Sequence, residues 1–126
     1  MKGDPRQIKR DGKRINAAFF RYSNGTAPVR EWLLQELSEL ERKLIGRDIA
    51  IVEFDWPVGP PLVKKIGPFW ELRTILTTGW ARVLFIVERG RMILIHGVVK
   101  KSSKMSKDDV DVANRRLSLL RTRKGE

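Results

Sequence analysis

The run FWELRTILTTGWARVLFIVERGRMILIHGVVKK, residues 69–101, constrains this chain more than any other, because it reads as three consecutive β-strands. β-Branched and aromatic residues crowd the strands predicted over residues 69–77, 80–88 and 91–99, and Thr78-Gly79 and Arg89-Gly90 fall at the two reversals. Gly at each reversal supplies the positive φ that a tight hairpin needs. With two-residue loops the register follows: Glu88 faces Arg91, Arg82 faces Gly97, Thr77 faces Trp80 and Ile75 faces Arg82. Alternation puts Leu72, Val83, Phe85, Met92, Leu94 and His96 on one apolar face, suited to packing under helices. The other face carries Glu71, Arg73 and Arg82, and continued alternation adds Lys101. Three cations from separate strands are thus expected to converge on one surface.

The rest of the chain supplies what such a sheet needs. Residues 15–22 read as a further strand ended by Ser23-Asn24-Gly25, with Tyr22 closing the end of the core. Pro28 opens a helix that Gly46 is expected to close, its stripe of Val29, Trp32, Leu33, Leu37, Leu40 and Leu44 covering the apolar side of the sheet. Residues 47–54 hold one or two more helical turns. Four prolines and two glycines make residues 55–68 a stiff connector carrying Lys64 and Lys65, with Trp56 and Trp70 expected as anchors. A basic loop with Lys100 and Lys104 leads to a last helix, where Ser106 and Asp109 stand at capping-box spacing and Val110, Ala113, Leu117 and Leu120 face inward. The expected class is α+β, a small antiparallel or mixed sheet in the order β-α-α-β-β-β-α with helices on one face. Residues 15–122 form one domain, between a flexible basic extension, 1–14, and a short flexible tail, 123–126.

Composition narrows the chemistry. The 126 residues carry a formal charge of +11, a field that gathers polyanions, so nucleic acid or a nucleic-acid machine is the expected partner. Without cysteine and with a single histidine, the chain has no disulfide, no thiolate metal site and no cysteine nucleophile, and no metal or other cofactor is expected. No apolar run of membrane-spanning length and no signal-peptide core is seen, so the expected location is the cytoplasm, away from any membrane. A cationic sheet surface can still act on RNA, where the substrate's own 2′-OH is the nucleophile and the protein need only orient it and neutralise the phosphate. For Arg73, Arg82 and Lys101 a binding surface without catalysis is the competing reading. For His96 the structural reading, a buried and hydrogen-bonded side chain, stands beside that of a general base.

Four motifs, GTAPVREWL (residues 25–33), PLVKKIGPFWELR (61–73), RVLF (82–85) and HGVVKK (96–101), in this order resemble the RelE/HigB-like toxins of type II toxin–antitoxin systems, and within them the phage-derived RelE-like branch. The resemblance spans about residues 15–120. It implies a RelE-like fold and a metal-independent endoribonuclease, an mRNA interferase that cuts mRNA on the ribosome and inhibits translation. It also implies a cognate antitoxin, often a helix-turn-helix protein through which alone the complex would meet operator DNA. Arg82 matches the family's middle-strand arginine, Lys101 the basic residue ending the last strand, and Arg73 with Glu71 the basic positions two apart. Lys64, Lys65, Lys100 and Lys104 would then contact RNA. The chain departs from many relatives in lacking a tyrosine or other proton-transfer group just after the last strand, which leaves Glu71 or His96 for that role. The alternatives are a non-catalytic basic protein that binds RNA or the ribosome, and a phage-derived interaction protein that binds no nucleic acid.

Overall fold

The structure, a computed structural model, describes residues 12–101 and 104–123; most of the expected N-terminal extension and residues 124–126 of the tail lie outside the described residues. The elements run β1 (Asn16–Phe19), α1 (Pro28–Glu36), α2 (Glu39–Asp55), β2 (Val63–Ile66), β3 (Phe69–Leu76), β4 (Gly79–Glu88), β5 (Arg91–Lys100) and α3 (Lys107–Arg123). They build one five-stranded sheet in the order β1-β5-β4-β3-β2, antiparallel except for the parallel β1–β5 pair. The class is α+β, as expected.

Three features differ from the sequence reading. The expected single helix over residues 30–45 is two helices, and Gly46 lies inside the second. The break is made by Ser38, whose Oγ accepts from Glu41 N at 3.1 Å while its own N–H donates to Glu41 Oε1 at 2.9 Å, a reciprocal capping box. The connector contains β2, which pairs only with β3, as the neighbouring prolines permit at a sheet edge. Helices also cover both faces rather than one. α1 and α2 pack on Leu72, Val83, Phe85 and Met92, whereas α3 sets Ala113 and Leu117 against Leu84, Ile86, Ile93 and Ile95.

Register decides which side chains share a face. At the first reversal Leu76 pairs with Gly79, so Thr77-Thr78 make the turn and the pairing is displaced by two residues: Ile75 faces Trp80 and Arg73 faces Arg82. A shift of two leaves every side chain on its expected face. Gly79, at φ +147°, lies so close to β5 that a Cβ there would stand 2.6 Å from the Lys100 carbonyl oxygen. On the β4–β5 ladder, Phe85 pairs with Leu94 but Leu84 with His96, leaving Ile95 as the extra residue of a β-bulge. The bulge inverts the alternation of β5 beyond it. His96, Val98 and Lys100 therefore join the α3 face, and Gly97 turns beneath the Trp32 ring, with Arg82 opposite Val98 instead of Gly97.

Two of the aromatic expectations hold. Trp56 meets Trp70 edge-on at 5.2 Å and Phe85 at 5.8 Å against the core, and Tyr22 meets Phe20 edge-on at 5.1 Å.

Candidate functional site

α3 covers only part of its face of the sheet. Toward the β3–β4 turn the same face carries Glu71, Arg73, Ile75, Trp80, Arg82, Val98 and Lys100. Glu71 is the centre of this patch, 1% exposed, its Oε1 accepting from Arg73 Nε at 3.1 Å and its Oε2 from Arg82 Nη1 at 3.2 Å. A carboxylate so buried must be compensated, and the two guanidiniums do this from neighbouring strands. The arginines differ in access: Arg82 is 1% exposed, whereas the Arg73 side chain keeps 21% of its surface. A cavity of about 190 Å³ between sheet and α3 is lined by Lys64, Ile66, Glu71, Arg73, Lys104, Met105 and Val110. Only Arg73, of the two, lines it.

Beside this patch lies a second polar network that the sequence reading did not assemble. Asp109 is one of two first-turn carboxylates of α3, and its N–H donates to Ser106 Oγ at 3.1 Å, while that hydroxyl donates to Asp109 Oδ2. The same carboxylate meets His96 Nε2 at 2.8 Å and Lys100 Nζ at 3.0 Å. Arg116 donates through Nη1 to the Ile95 carbonyl at 2.9 Å and through Nε to Tyr22 Oη at 2.8 Å, and Nη1 lies 3.3 Å from His96 Nδ1. Arginine has only donors, so His96 Nδ1 is the acceptor and Nε2 carries the proton toward Asp109. Burial pushes the His96 pKa below its ordinary value; the hydrogen bond and charge of Asp109 oppose this, and the charges of Arg116 and Lys100 add to it. Burial pushes the Asp109 carboxyl up, but its hydrogen bonds to Ser106, His96 and Lys100 outweigh that and lower it to about 2.

The sequence-predicted site residues divide accordingly. Glu71, Arg73, Arg82, Lys64, Lys100 and Lys104 gather on or around the α3 face. Lys101 does not: it is exposed one residue past the end of β5, and the bulge gives the parity of the arginines to Lys100 instead. Lys65 also lies apart, paired with Trp70 on the opposite face, its Nζ 5.0 Å from that ring and donating to the Gly67 carbonyl at 2.8 Å. His96, expected under α1 beside Val83, stands opposite Leu84 on the α3 face. Arg116, which the sequence reading did not single out, reaches back from α3 to the sheet. The parity break at Ile95 has no signal in a run as uniformly apolar as MILI. For Asp109 the capping-box spacing was a visible signal, but the pattern shows nothing of its second partners.

Among the described residues no three His, Asp or Glu side chains gather as metal ligands. Among them, too, no helix is long and apolar enough to cross a membrane. Residues 32–118, more than half of the chain, match the family model described as "Phage derived protein Gp49-like (DUF891)". The match begins within α1 and ends within α3, so it contains β2 to β5 and every residue of the patch around Glu71. No curated protein matches the chain.

Proposed function

The chain belongs to the phage-derived Gp49-like family, a toxin-like family related to the RelE and HigB toxins, and on that premise we propose that it is the toxin of a toxin–antitoxin pair, acting on RNA across the uncovered part of the α3 face. The observation that carries this reading is Arg73, docked by its Nε on buried Glu71 and lining a cavity that Lys64 and Lys104 also line. A guanidinium held in this way is oriented before any substrate arrives. Its planar fork suits a phosphate, and the lysines add point charges along the strand. In the reaction we propose, the ribose 2′-oxygen bonds to phosphorus as the bond to the 5′-oxygen breaks. The 2′-OH proton passes to solvent, the leaving oxygen takes one from it, and Arg73 stabilises the charge on the pentacoordinate phosphate.

Arg82 and Glu71 have positioning roles in this scheme, since Arg82 is sealed beneath the surface and both Glu71 oxygens already accept from arginine. mRNA on the ribosome is the proposed substrate, and the proposed antitoxin is a helix-turn-helix protein that alone links the complex to operator DNA. Induced expression is expected to arrest growth and translation, with relief by Arg73→Ala; in a translation reaction containing the purified protein, an mRNA carrying 2′-deoxyribose at the cleaved position is expected to survive. Undiminished toxicity of Arg73→Ala would remove Arg73 from the site.

One observation favours a second reading, in which the protein binds RNA without cutting it. Neither Glu71 nor His96 offers an acceptor atom that is not already engaged. Tight, salt-dependent RNA binding with no cleavage of mRNA on translating ribosomes would select that reading.

A further inference from the structure

Trp80 is the one tryptophan of the chain that is exposed, at 36%, and its cross-strand neighbour Ile75 is 68% exposed. Together they form an apolar spot on a protein surface otherwise rich in charge. The spot is bordered by cations from three directions. Lys100 pairs with Trp80 across the β4–β5 ladder, the Arg82 guanidinium carbon lies 5.9 Å from the indole centroid, and Arg73 lines the adjoining cavity. That cavity, about 240 Å³, opens where β2 stops pairing with β3, and is walled by Pro61, Leu62, Ile75 and Trp80 with Arg47 and Asp48 at its α2 side. Asp48 is itself held by Arg47, whose Nε donates to Oδ1 at 3.3 Å. The core has no use for an indole here: the buried apolar residues on this face pack with α3, and Trp80 belongs to neither core cluster.

An exposed aromatic surface beside a phosphate-oriented arginine matches the two parts of one nucleotide, a flat base and its charged linkage. We propose that Trp80, supported by Ile75, is a stacking platform for a single-stranded RNA base next to the phosphate that Arg73 holds. This rests on the RNA-directed reading above and adds a subsite to it. Stacking on an indole tolerates every base, so Trp80 contributes affinity and register rather than sequence choice. Arg82 under the ring adds a cation–π contact that keeps the indole in place.

The test uses a short fluorescein-labelled RNA with 2′-O-methyl riboses throughout, which cannot be cut, and reads binding by anisotropy over a range of salt. Trp80→Leu is expected to bind roughly tenfold more weakly and Trp80→Phe close to wild type, both with an unchanged salt slope because no charge is removed. A misfolded variant would lose slope as well as affinity, and a series of RNAs with one base removed at a time tests the wild-type chain itself. One abasic position is expected to weaken the wild type by a similar factor and to leave Trp80→Leu unaffected. If wild type and Trp80→Leu bind equally, or if no abasic position distinguishes them, the platform is refuted and the RNA reading stands. A wild type that binds none of these RNAs refutes the platform as well, whereas the RNA reading itself falls if induced expression leaves translation and mRNA intact.

Discussion

Arg82→Met separates a buried structural arginine from a substrate-gripping one. The ion pair it breaks spans 3.2 Å between side chains that are each 1% exposed. Removing one partner of such a pair ordinarily costs about 3–5 kcal/mol, because the other charge stays in the interior without compensation. Glu71 keeps Arg73 on Oε1 at 3.1 Å, which places the expected loss near the lower end, about 3 kcal/mol. For a chain of this size that corresponds to a fall of roughly 10–15 °C in Tm. Urea unfolding gives the free energy directly, and the double variant Glu71→Leu/Arg82→Met completes the cycle. Replacing both charges by apolar side chains removes the desolvation problem, so the double variant is expected to recover most of the stability that Arg82→Met loses. The reasoning fails if Arg82→Met unfolds within about 0.5 kcal/mol of wild type, a change typical of a surface substitution, yet no longer acts on RNA.

Two further outcomes follow from the packing and the titrating groups. The His96 pKa is depressed below its ordinary 6.5, so on acidification the unfolded chain takes up this proton first; stability from this source is intact above pH 6.5 and falls as the pH drops through that value toward the folded pKa. Asp109, lowered from 3.8 to about 2, adds a second loss between those two values, and urea midpoints across the acid range are expected to lose the first step in His96→Gln and the second in Asp109→Asn. Gly97→Ala and Gly46→Ala are expected to change stability in opposite directions. A Cβ on Gly97 would stand 2.5 Å from the Trp32 ring, an overpacking that costs about 1–3 kcal/mol. A Cβ on Gly46 meets nothing within 4 Å inside α2, where alanine gains about 1 kcal/mol in helix propensity. Thermal unfolding of the pair checks both signs.

The three-strand core of the fold was legible because its signals are local: strand-forming residues, two glycine-bearing reversals and strict alternation place Glu71, Arg73 and Arg82 on one face. That agreement survived a two-residue error in the first turn, since an even shift preserves parity. The helix break at Ser38 was legible too, in the spacing Ser38 to Glu41, but the apolar stripe running through it reads as continuous. β2 was hidden by the prolines and glycines that surround it, because an edge strand of four residues gains its order from its partner.

What the amino-acid sequence by itself determined is the cationic, α+β character of the chain, set by composition and pattern, and the company that Arg73 keeps with Glu71, set by two positions close together in one strand. Tertiary structure alone decided that Arg82 lies sealed, and that Lys100 rather than Lys101 takes the arginines' parity and joins His96 in meeting Asp109. The cause of the change on β5 is one extra residue at Ile95, accommodated where the strand must pair with β4 and also pack beneath α3. No local pattern records that compromise, because the bulge is set by partners distant in the chain.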